Sequence, residues 1–196
     1  MCIRDSYFTC GGRPCGLAVE IVSEAARRRG IRLEWKRRTE DPEQALKTKS
    51  VDLWPILTIL EERRKILHMT DMYLEHQHLF LVPESGRARS VEEFEQGAIS
   101  YASSPIANRM FRKFFPRAIP RPVPSPRAAL EEVCRGDVPA SFVERQAAFS
   151  VLTQDSPCAG HSLRIIPTRI RTQLALGSTF EASAVADALR EEIGVM

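Results

Sequence analysis

The chain has 196 residues, 43% of them hydrophobic and 27% charged, which is enough apolar material for one core or two small ones and too much for a disordered segment. A formal net charge of +3 arises from 28 Lys and Arg set against 25 Asp and Glu along the chain. No basic block with interleaved aromatics marks a nucleic-acid groove, so nucleic acid is not an expected partner, and no stretch approaches the ~20 apolar residues of a membrane-spanning helix.

Met1-Cys2-Ile3-Arg4-Asp5-Ser6 reads as the translation of a transposon end used in preparing sequencing libraries. Residues 1–6 are therefore set aside as non-native, with the natural start and any signal peptide expected upstream. Leu17, Ile21, Val22, Ala25 and Ala26 share one helical face ahead of Gly30, and Ile31, Leu33 and Trp35 then alternate as in a strand. Asp41 as an N-cap with Pro42 in the first turn predicts a short helix to about Ser50, followed by an apolar strand over 51–57. A helical patch over 61–67 and a strand over 78–82 come next. Ser90-Val91-Glu92-Glu93 is a capping-box pattern before a strand over 98–102. Ser104-Pro105 and Ser125-Pro126 each open a helix, the first running to about Phe115 and the second closed by Gly136. A strand over 140–143, a helix over 146–152, strands over 163–166 and 173–176 and a helix over 182–193 complete the chain. This alternation predicts an α/β fold with a parallel sheet.

Four groups of residues carry a family resemblance. They are Gly16-Leu17-Ala18-Val19-Glu20-Ile21; Val51-Asp52-Leu53-Trp54 with Thr58-Ile59-Leu60-Glu61-Glu62-Arg63 and Thr70-Asp71-Met72-Tyr73; the Ser90 capping box with the strand from Ala98 and Ser103-Ser104; and Ala128-Ala129-Leu130 through Gly136 to Phe142-Val143-Glu144. In this order they resemble the bacterial extracellular solute-binding proteins of family 3, the periplasmic amino-acid-binding proteins of ABC importers and their sensor-domain relatives. Leu60 and Glu61 stand where the family pattern has Thr-Pro, Met72 replaces a proline, Ser103 a glycine and Glu144 an aspartate. The resemblance implies a two-lobed, type 2 periplasmic-binding-protein-like α/β fold with a ligand cleft between lobes. Lobe 1 is expected to comprise 7–81 plus 170–196, and lobe 2 to comprise 82–169.

The implied function is an extracytoplasmic domain, periplasmic or extracellular, that captures an amino acid or related carboxylate for the membrane permease of an ABC importer. One alternative is the ligand-sensing head of a transmembrane signalling protein. A dehydratase-type or peptidoglycan-cleaving enzyme of similar fold is a third reading; a non-enzyme without cofactor is the expectation. The physical task is to replace the hydration of a zwitterion, which calls for a planar cation, an acid and donors between them. Arg63 matches the family position for the carboxylate, with a solvated run Arg63, Arg64, Lys65 as its bland alternative. Thr58 is a candidate second contact to the carboxylate, and Ser104 a helix-opening donor that is equally a plain N-cap. Glu144 ends a strand as the candidate acid for the ammonium. Tyr7 and Trp54 are candidate walls or ordinary core aromatics. His76 and His78 share a strand face without a third metal ligand, so no metal site is expected. Cys10 and Cys15 flank a Gly-Gly-Arg-Pro turn and are either a disulfide or two thiols, while Cys134 or Cys158 with His161 forms no recognisable catalytic pair.

Overall fold

A computed structural model describes residues 8–10 (backbone), 13–38, 40–86, 90–94, 96–154 (backbone only at Gln154), 156–158 and 160–196. Its elements are β1 (Phe8–Cys10), β2 (Arg13–Cys15), α1 (Leu17–Arg29), α2 (Pro42–Lys47), β3 (Leu53–Thr58), α3 (Glu61–Arg64), β4 (His68–Met69) and β5 (Leu74–Pro83). There follow β6 (Ala98–Ala102), α4 (Pro105–Phe114), β7 (Ile119–Val123), α5 (Pro126–Arg135), β8 (Ala140–Glu144), α6 (Arg145–Gln154), β9 (Leu163–Ser178) and α7 (Ser183–Val195). The chain divides into two compact units: a continuous one, His76–Arg171, and a discontinuous one made of the residues up to Glu75 together with Thr172–Met196. The first division falls before His76 rather than after Leu81, because His78 to Leu81 are paired rung by rung with Glu144 to Ser141 in β8.

In the discontinuous unit, β1 and β2 form an antiparallel hairpin that leads into α1. Ala18, Val19, Val22, Ala25 and Ala26 make the buried face of α1, and Val22, Ala25 and Ala26 pack with Leu176 and with Leu189 of α7. The last helix thus shares a core with the first. The Asp41 side chain accepts the Glu43 N–H at 2.9 Å to start α2, with Pro42 in the first turn where a missing donor costs nothing. Strand β3 runs antiparallel to the last part of β9, and β4 pairs with the same residues of β9. A bulge between Trp54 and Leu57 interrupts the β3–β9 register and accommodates Pro55. Gly177 lies so close to Leu57 that an added Cβ would stand 2.6 Å from its Cδ2, and the Leu57 side chain would have to shift to admit one. Ile31, Leu33 and Trp35 alternate half-buried with exposed Arg32, Glu34 and Lys36. The strand expected there joins neither sheet among the described residues.

The continuous unit is a mixed sheet rather than the parallel one expected. Strands β7, β6 and β8 are parallel neighbours, whereas β5 runs antiparallel to β8, and β9 hydrogen-bonds along β5. The sequence reading missed β7, whose Pro120 and Pro122 argue against a strand. It is tolerated because β7 is an edge: Ile119 donates to the Gly97 carbonyl, so residues of the other parity, both prolines among them, face away from β6. The two strands expected at 163–166 and 173–176 are one strand of 16 residues, since Thr168 and Ile170 continue the inward positions through a polar run. Phe80 stacks against Phe94 and makes tilted or edge contacts with Phe115 and Phe142. Leu130, Ala129 and Cys158 fill a second core, covered by α5, and Cys134 is bonded to Cys158 with their Cα atoms 5.4 Å apart. This disulfide supersedes any reading of either thiol with His161. Cys15 is also disulfide-bonded.

Candidate functional site

In the discontinuous unit, β3 delivers Thr58 and the one-turn helix α3 delivers Arg63. Burial separates the basic run: Arg63 is 6% exposed, while Arg64 and Lys65 are exposed. Arg63 Nη1 donates to the Thr58 carbonyl at 3.0 Å, and Nε faces a Glu43 carboxylate oxygen at 3.5 Å. Nη2 makes no hydrogen bond among the described residues, and neither does the Thr58 hydroxyl. Glu43 also accepts from Lys47 at 2.8 Å. The Lys47 ammonium, and after it the Arg63 guanidinium, hold the Glu43 carboxyl below the usual carboxylate range against partial desolvation. Glu43 was not foreseen, because nothing in the sequence joins α2 to a residue 20 positions later.

In the continuous unit, β6 and β8 are parallel neighbours in register at Ser100 and Ser141, so their C-terminal ends lie side by side and each opens a helix. The Ser104 hydroxyl oxygen accepts the Ala107 N–H at 3.0 Å as the N-cap of α4, leaving its own proton without a partner among the described residues. At the other strand end the buried Glu144 carboxylate accepts Gln146 N–H at 2.8 Å and Ala147 N–H at 3.1 Å. It therefore caps α6, a placement its charge favours at the positive end of a helix. His76 Nδ1 stands 4.0 Å from the same carboxylate. The acid foreseen from sequence thus has partners that periodicity could not reveal. His78 pairs across the ladder with Glu144 and stacks on Phe142 with ring centroids 5.2 Å apart. Burial, with repulsion from His76 second, pushes its imidazole down to about 4 against a backbone hydrogen bond with Ile170. Its Nδ1 is buried with no hydrogen-bond partner among the described residues.

The structure therefore brings Thr58 together with Arg63, and Ser104 to the same sheet end as Glu144. Trp54 packs against Leu46 and Leu57 and lines a groove of its own unit, which Thr58 and Arg63 do not line. Tyr7 lies outside the described residues. Among the described residues no group of three or more His, Cys, Asp or Glu is arranged to hold a metal ion, and no helix is long and apolar enough to cross a membrane.

Ligands in open α/β sheets sit outside the carboxyl ends of strands, and Thr58 and Glu144 stand at such ends of β3 and β8. The profile of the bacterial extracellular solute-binding proteins, family 3, matches residues 5–191, and the chain belongs to that family. Its fold is the type 2 periplasmic-binding fold, shared with arginine-bound ArgBP from T. maritima (Gly52Ala mutant) at TM-score 0.74 and 19% identity, over 96% of this chain and 89% of that one. ArtJ of Geobacillus stearothermophilus, an arginine-, lysine- and histidine-binding protein, superposes at TM-score 0.75 and 19% identity, over 96% and 84% of the two chains. The ancestral amino-acid-binding protein AncCDT-1, a precursor of cyclohexadienyl dehydratase, gives TM-score 0.77 and 18% identity over 98% and 84%. No curated protein matches the sequence.

Proposed function

We propose that the chain is a non-catalytic solute-binding component of an ABC importer, acting outside the cytoplasmic membrane on an amino acid or a related small carboxylate. Arg63 and Thr58 offer partners for a carboxylate in the discontinuous unit, and Glu144 with the unpartnered Ser104 hydroxyl proton offers partners for an ammonium and a second acceptor in the continuous unit. The observation that carries this reading is the burial of Arg63, 6% exposed, whose guanidinium has among the described residues one close acceptor, a backbone carbonyl, and the Glu43 oxygen at 3.5 Å. A buried cation with an open planar fork is matched by a carboxylate. Each half-site also lies near a passage of the chain between units. Thr58 pairs with Leu174, close to the division at 171/172, and Glu144 pairs with His78, close to that at 75/76. Changes of backbone angle at these passages are the means by which ligand capture would be converted into a change of shape that a permease reads. The Cys134–Cys158 bond supports an oxidising compartment. Trp54 lines a groove that Thr58 and Arg63 do not line, and the proposed contacts stand without it.

Calorimetric titration with arginine, lysine, histidine, glutamine and small organic acids tests the reading, the cationic amino acids first because ArtJ and ArgBP bind them. One member should bind with saturation and without turnover. Arg63→Lys should then weaken it about tenfold to a hundredfold, because the charge stays while the fork is lost. Failure of every amino acid and carboxylate to bind, or unchanged affinity in Arg63→Lys, overturns the proposal.

A further inference from the structure

Cations are unevenly placed along the chain. Residues 105–130 hold six of the 28 Lys and Arg and no Asp or Glu, a local charge twice the net +3 of the whole protein. The densest part is Arg112-Lys113-Phe114-Phe115-Pro116-Arg117-Ala118-Ile119-Pro120-Arg121, which runs from the last turn of α4 into β7. Only Phe115 and Ala118 are buried in this run, both in the aromatic core of the continuous unit. They peg the turn in place, and the other eight residues are exposed. Arg112 and Lys113 make no ion pair among the described residues, and Arg121 keeps 58% of its side chain exposed although Glu132 is 3.4 Å away. Phe114 and Ile119, set between the cations, are 42% and 59% exposed. The helix dipole accounts for cations in the last turn of α4, but not for Arg117 and Arg121 beyond it, nor for the exposed apolar residues.

The chemistry of the run narrows its partner. An added β-strand is excluded at the outer edge of β7, because Pro120 and Pro122 have no N–H to donate. A nucleic acid needs open aromatic faces for base stacking, but Phe115 is buried and Lys113 Nζ sits over the Phe114 ring, 5.4 Å from its centroid. An acidic protein surface would satisfy the cations and gain nothing from Phe114 and Ile119. A bilayer interface takes both, with anionic head groups against Lys and Arg and apolar side chains in the acyl boundary. We propose that residues 112–121 form a membrane-contact patch for anionic phospholipid. Arg112, Lys113, Arg117 and Arg121 meet the phosphates, and Phe114 and Ile119 make a shallow insertion. None of the ligand half-site residues takes part, so the patch concerns where the domain is held rather than what it captures.

Cosedimentation of the 196-residue chain with vesicles tests this, comparing phosphatidylcholine alone with an equal mixture of phosphatidylcholine and phosphatidylglycerol. Partitioning at low salt should be at least about tenfold stronger on the mixed vesicles and should weaken as salt is added. Each cation near an anionic surface is worth about fivefold, so Arg112→Ala with Lys113→Ala should lose about thirtyfold. Arg27→Ala with Arg28→Ala removes the same charge from the exposed end of α1 and should lose less than about threefold. Phe114→Ser should lose about tenfold while keeping the salt dependence. The substituted side chains are exposed, so the parent's melting temperature in each variant shows that the fold is intact. Equal partitioning to both kinds of vesicle, or equal losses from the two double variants, overturns the proposal. So does binding of polyglutamate through Arg112 and Lys113 in the absence of vesicle binding, which would assign the patch to an acidic protein.

Discussion

Replacing Glu144 by alanine separates the capping of α6 from the ligand contact proposed for the same carboxylate. The side chain is 9% exposed and receives the Gln146 and Ala147 N–H groups at 2.8 and 3.1 Å. Alanine leaves both donors at the start of α6 without their acceptor, the Ala147 N–H in a buried position and the Gln146 N–H nearer solvent. A lost N-cap costs about 1 kcal/mol and a buried unsatisfied donor about 1–3 kcal/mol, so the ligand-free protein should lose about 2–4 kcal/mol. At about 2–4 °C per kcal/mol for a chain of this size, the melting temperature should fall by roughly 4–16 °C in differential scanning calorimetry without ligand. Glu144→Gln should fall by less, because its amide oxygen still accepts from one N–H while its NH₂ opposes the other. Both variants should also lose affinity for an amino acid. A melting temperature of ligand-free Glu144→Ala within about 1 °C of the parent would refute the capping role, whatever happens to affinity.

Three further outcomes are expected. His78 keeps its folded-state pKa near 4 while the unfolded side chain titrates near 6.5; the depressed value means that stability is complete above pH 6.5, is lost as pH falls toward 4, and levels below. The loss is on the order of 3 kcal/mol, and urea midpoints measured between pH 7.5 and 4 should fall further for the parent than for His78→Leu; parallel curves would contradict this. Replacing both Cys134 and Cys158 by serine opens a loop closed over a separation of 24 residues and should cost about 3–4 kcal/mol, read as a lower melting temperature. Phe80→Ala removes a fully buried ring that touches Phe94, Phe115 and Phe142. It should cost about 3–5 kcal/mol in urea unfolding, and a loss under 1 kcal/mol would mean that this cluster is not the core of the continuous unit.

The sequence by itself determined the local elements and the family. The Asp41-Pro42, Ser104-Pro105 and Ser125-Pro126 starts and the Gly30 and Gly136 ends all stand at helix boundaries, because capping is settled by a few residues in contact along the chain. The motif around Thr58 and Arg63 was legible for the same reason, being contained in one strand end and one turn. What only the tertiary structure decided involves residues far apart in sequence. The prolines of β7 are compatible with a strand only because an edge leaves one side unpaired. Residues 163–178 form one strand because partners on both sides of a polar run keep the same two-residue alternation. Arg63 is buried while Arg64 is not, and Glu43 reaches it from another helix. The histidines beside Glu144 are there because β5 lies antiparallel to β8. Periodicity reports which face of an element is apolar; it carries no information about which other element meets that face, and the chemistry of these half-sites is made of such meetings.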